Sequence, residues 1–64
     1  MAYTQREIEM LKEAYMFEKI EVVKYSRYQK ECSNQEVKNI FKHMIAAEKD
    51  HLNLINTLLN HTSK

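Results

Sequence analysis

The chain has 64 residues, with ten Lys and Arg against nine Asp and Glu for a net charge of +1. The signs are mixed along the chain, which excludes a nucleic-acid-binding tail and a disordered acidic or basic segment. A core this small supplies only about 3–5 kcal/mol. Cys32 is the single cysteine, so no internal disulfide can add to it, which leaves a metal, partner chains or both. No apolar run approaches the ~18 residues of a membrane span, and the N-terminus lacks a signal-peptide pattern. Together with the lone cysteine, this leads us to expect a cytoplasmic protein.

Glycine and proline are absent, and the Ala, Glu, Lys, Leu and Met content favours helix throughout. The expected architecture is a single all-α hairpin over residues 1–64. The first helix is expected from about Gln5 to Glu31. It is announced by Thr4-Gln5-Arg6-Glu7, whose hydroxyl and carboxylate can form a reciprocal capping box. On a helical wheel with Glu18 at zero, Leu11, Val22 and Tyr25 fall within about 40°, and Ala14, Tyr15 and Glu21 within about 60°. An acid therefore occupies the middle of the apolar stripe. Phe17 and Tyr28 flank that stripe and are expected to pack.

The connection around Cys32-Ser33 is short, which makes the helices antiparallel neighbours. Cys32 is expected to close the first helix and be inert. Ser33-Asn34-Gln35-Glu36 has the capping-box form again, so the second helix is expected from about Asn34 to Asn60. With Glu48 at zero, Val37, Phe41, Met44, Leu52, Ile55 and Leu59 lie within about 40° of it. Ile45 and His51 lie about 60° to either side. His43 and His61 fall off the stripe and are expected to be solvated.

A buried ionised carboxylate is costly unless it is paired or ligates a metal, and departures of this kind mark functional positions. In an antiparallel pair that turns at Ser33, Glu18 and Glu48 are equidistant from the turn and lie level, about 20 Å from it. Tyr15 and His51 are level by the same count. Glu48-Lys49-Asp50-His51 is a Glu-x-x-His motif, whose i and i+3 side chains project side by side. Di-iron and di-manganese carboxylate bundles take a Glu from each of two helices and a Glu-x-x-His from each of the other two. One hairpin holds half of that set: Glu18, Glu48 and His51. Two copies about a two-fold axis would complete it and bury the remaining apolar stripe. The expected fold is thus a hairpin dimerising into a ferritin-like four-helix bundle. Oxygen and imidazole donors suit Fe or Mn and tolerate Zn.

The stretch from Phe17-Glu18 to Tyr25, followed by Phe41 and Glu48-Lys49-Asp50-His51, resembles the first half of a rubrerythrin over about residues 8–60. It is similar also to the encapsulated ferritins, which complete a di-iron site by dimerising. The resemblance implies two iron ions per dimer, with Glu18 a terminal ligand, Glu48 a bridging ligand and His51 the nitrogen ligand. It also implies ferroxidase or peroxide-reducing activity, fed by an external electron donor if the protein is catalytic. Three features depart from these families. No Cys-x-x-Cys pair is present, Glu21 does not match the position of the rubrerythrins' extra acids, and no encapsulin-docking peptide is recognisable after Leu59.

Tyr15 and Tyr25 read as core aromatics with hydroxyls bonded to carboxylates. With Glu21 they are the candidates for supporting the ligands. Met16, Ile20 and Val23 run i, i+4, i+7 on the side opposite Glu18. They are either scattered surface apolars or a contact that builds a higher homo-oligomer. A metal-free helical interaction protein of spore-coat type, which retains the same hairpin, is the alternative to the metal-binding reading.

Overall fold

The computed structural model describes residues 3–62, which form two α-helices: α1, Gln5–Glu31, and α2, Gln35–Thr62. They pack along their lengths as a hairpin measuring 47 × 14 × 12 Å. Among the described residues there is no strand, and no helix is long and apolar enough to cross a membrane.

The cap of α1 is the one its sequence announces. Glu7 N–H donates to Thr4 Oγ1 at 3.0 Å, and Thr4 N–H donates to Glu7 Oε1 at 2.8 Å. Hydrogen bonding from Thr4 to the Glu7 carboxylate, by the backbone amide first and the side-chain hydroxyl second, holds that carboxyl below its ordinary pKa. At the other end Cys32 is extended, and its N–H closes on the Tyr28 carbonyl at 3.0 Å.

The cap of α2 differs from expectation by one residue. Asn34, not Ser33, accepts from the third amide of the helix: Val37 N–H donates to Asn34 Oδ1 at 3.0 Å. Asn caps at least as well as Ser. Once the cap moves to Asn34, the residue three places on is Val37, which has no side-chain acceptor to reciprocate. The capping box read at Ser33 and Glu36 is therefore replaced by a simple cap. At its far end α2 continues past Asn60 to Thr62.

The core is thin. Ile45 and Ile55 are the buried hydrophobic residues, each at 9% exposure, and no described side chain is fully enclosed. Near the turn, Tyr25, Tyr28 and Phe41 form an aromatic cluster with ring centroids 5.6–6.1 Å apart. Tyr28 packs there as expected. Phe17 does not pack, and stands 57% exposed. On the wheel it lies about 100° from Glu18, on the side turned away from α2.

Ile45 and His51, placed symmetrically about Glu48, show the same asymmetry. Ile45 is buried, whereas the His51 side chain is 55% exposed. One flank of each apolar stripe faces the other helix, and the second flank stays open. Met10, Phe17, Ile40 and Leu54, all exposed, fall on that open flank.

Candidate metal centre

The short connection from Cys32 to Asn34 holds the helices in the register that sets Glu18 of α1 against Glu48 and His51 of α2. One ligand atom from each of these three residues lies within 4.8 Å of the others. His51 Nδ1 is 3.3 Å from Glu18 Oε1. Glu18 Oε2 and Glu48 Oε2 are both buried without a hydrogen-bond partner. The other ion pair among the described residues, Arg6 with Glu9 at 3.6 Å, lies elsewhere on α1. No lysine or arginine among the described residues neutralises either acid.

Two half-buried carboxylates, each with an oxygen that nothing satisfies, are unfavourable as they stand. A cation offered two carboxylates and an imidazole would relieve both, and this donor set suits Fe, Mn or Zn. The residues present thus fit a transition-metal ion. His51 completes the set from the open flank, so its imidazole is the most exposed of the three groups.

The supporting residues divide. The Tyr25 hydroxyl donates to Glu21 Oε2 at 3.2 Å, as expected of a core aromatic bonded to a carboxylate. Burial first, then the Glu21 hydrogen bond and charge, raise the Tyr25 phenol above its ordinary pKa. Glu21 itself lies outside the three-residue group. Tyr15 does not reach a carboxylate. Lys19, one turn on, places Nζ over its ring at 5.5 Å from the centroid, and the i, i+4 spacing accounts for that contact. His43 and His61 are exposed.

Sequence reasoning missed Met10, Ile40 and Leu54, which stand 46, 56 and 58% exposed beside the centre's open flank. A wheel centred on each acid gives both flanks equal weight. The signal that finds these residues is a seven-residue spacing along that flank, through Met10 and Phe17 of α1 and Ile40, Ala47 and Leu54 of α2.

No curated protein and no solved structure matched the chain. The family model described as Rubrerythrin matches residues 9–64, a span that contains both helices almost whole and all three residues of the centre, and on that match the chain belongs to this ferritin-like family.

Proposed function

We propose that two copies of the hairpin join through their open flanks into a four-helix bundle that binds two iron ions, with Mn or Zn as substitutes. The observation that carries this reading is the pair of buried, unpartnered carboxylate oxygens at Glu18 and Glu48 beside His51. The uncovered apolar flank around them supports it. Glu18, Glu48 and His51 from each copy would hold the ions, making four carboxylates and two imidazoles in all.

When bound, iron supplies redox chemistry toward O2 or peroxide, which would make the protein a ferroxidase or peroxide reductase drawing on an external electron donor. The chain's own residues provide the setting for that chemistry. Paired in the proposed bundle, the apolar stripes would exclude water and lower the local dielectric, which strengthens each carboxylate's hold on a cation. Tyr25 fixes Glu21 one turn from Glu18, leaving an acid anchored close to the ligands. A cytoplasmic setting would keep Cys32 reduced.

Metal analysis after loading with Fe(II) or Mn(II) tests the proposal. About one ion per chain is expected from the two-ion dimer, and a content well below that overturns it. Glu48→Leu separates this reading from a metal-free interaction protein. In both cases the metal-free variant gains thermal stability, because a half-buried acid with an unsatisfied oxygen is removed. The metal-binding protein alone loses the stabilisation that metal confers on the wild type. That stabilisation amounts to about 2.7 kcal/mol at a hundredfold excess of metal over Kd.

A further inference from the structure

The second exposed apolar group lies on the opposite side of α1. Met16, Ile20 and Val23 are 63, 56 and 65% exposed, and they lie about 140–160° from Glu18 on the wheel. They therefore play no part in the metal centre or in the flank beside it. Lys19, Lys24 and Arg27 border the shallow groove over Ile20 and Val23.

This face extends in both directions with the same spacing. Glu9, Glu13, Met16, Ile20, Val23 and Arg27 follow one another at alternating steps of four and three residues, the spacing of a seam that another helix can cover. Along this seam the two acids, Glu9 and Glu13, stand in the N-terminal half and the base, Arg27, in the C-terminal half. All six of these side chains are exposed.

We infer that this face docks the same face of a second copy, with the two α1 helices antiparallel and crossing at Glu18. The occupant follows from charge complementarity. In that register Met16 lies level with the partner's Ile20, and Glu9 with the partner's Arg27. On the flank of the seam, Glu13 lies within one residue of the partner's Lys24, and Arg6 within one residue of the partner's Glu31. The two-fold axis repeats every one of these pairs. One like-charge approach stands against them, between Lys19 and the partner's Lys19 beside the axis. A wholly acidic partner or an anionic membrane would suit Lys24 and Arg27 but would be repelled by Glu9 and Glu13. The antiparallel copy suits both halves. Each contact is two-fold and self-complementary, so alternating it with the proposed metal-site contact links dimers into rings or open chains.

Sedimentation velocity on the full chain, with and without Fe(II) and at several concentrations, tests the inference. Metal-loaded wild type is expected to exceed the mass of two chains. Ile20→Glu should reduce it to the two-chain species while metal per chain is unchanged, which separates this contact from the metal site. Arg27→Glu alone should also reduce the mass, and Glu9→Arg combined with Arg27→Glu should restore it. The double variant keeps the test sound if a glutamate at position 20 perturbs folding. A two-chain or larger mass that Ile20→Glu leaves unchanged at every concentration overturns the inference, as does a double variant that fails to recover; a two-chain mass that Ile20→Glu reduces to one chain keeps this contact and counts against the metal-site dimer instead. Ile20-dependent pelleting with anionic vesicles by a protein that is otherwise a dimer overturns it in favour of a membrane.

Discussion

The Tyr25 phenol donates to Glu21 Oε2, and burial and that carboxylate together raise its pKa. A folded-state value above the unfolded one means that the folded chain holds this proton more tightly. The associated stability is present below the ordinary tyrosine range near ~10 and is lost as pH rises through the folded value. Tyr25→Phe should therefore remove from an ultraviolet titration a phenol that ionises above the ordinary tyrosine range. It should also flatten the loss of thermal stability above about pH 10. A titration that Tyr25→Phe leaves unaltered would refute this. Glu7 has the opposite sign. Its carboxyl is held low by Thr4, so its contribution is present above the unfolded carboxylate pKa and fades as pH falls through the folded one. Glu18 and Glu48 were legible because each is an acid at the centre of an apolar stripe, and His51 because it follows Glu48 by three residues; the structure brings the three together. Tyr15 was misread because its level with His51 was visible and the direction of its side chain was not. In the structure Lys19 lies over its ring instead.

At the scale of elements, both helices and their antiparallel pairing were readable, since each carries one apolar stripe and the connection is too short for any other arrangement. The cap of α2 was misplaced by one residue because Ser33 and Asn34 are both good caps, and only the backbone path after the extended Cys32 chooses between them. That choice is testable. Asn34→Ala should cost about 1 kcal/mol in urea unfolding at fixed protein and metal concentration. Ser33→Ala should stay within about 0.5 kcal/mol. The reverse order would show that Ser33 caps α2 in solution. The two flanks of each stripe were the harder feature. Periodicity gives the centre of a stripe but not how wide a neighbouring helix covers it. Ile45 and His51 therefore looked equivalent in the sequence and differ fully in burial.

For the molecule as a whole, a hairpin whose buried hydrophobics among the described residues are Ile45 and Ile55 has little with which to offset the conformational entropy of its two helices. On the proposed reading, its stability comes from the copy that covers the open flank and from the metal that neutralises the two half-buried acids. If one event does both, dimerisation and metal binding are thermodynamically linked, and each raises the apparent affinity of the other by the same factor. Two consequences follow from mass action: the melting temperature should rise with protein concentration, and metal should raise it further. The sharpest check uses a residue that is not among the three candidate ligands. Leu54 is 58% exposed on the open flank and lies outside the group of Glu18, Glu48 and His51. Leu54→Glu would place a charge within the proposed contact, where an unpaired buried charge is strongly destabilising. The variant should sediment as a single chain and hold metal at least tenfold more weakly, although Glu18, Glu48 and His51 remain intact. If Leu54→Glu instead binds metal as the wild type does, the three residues make a complete site within one chain, and the two-fold arrangement must be abandoned.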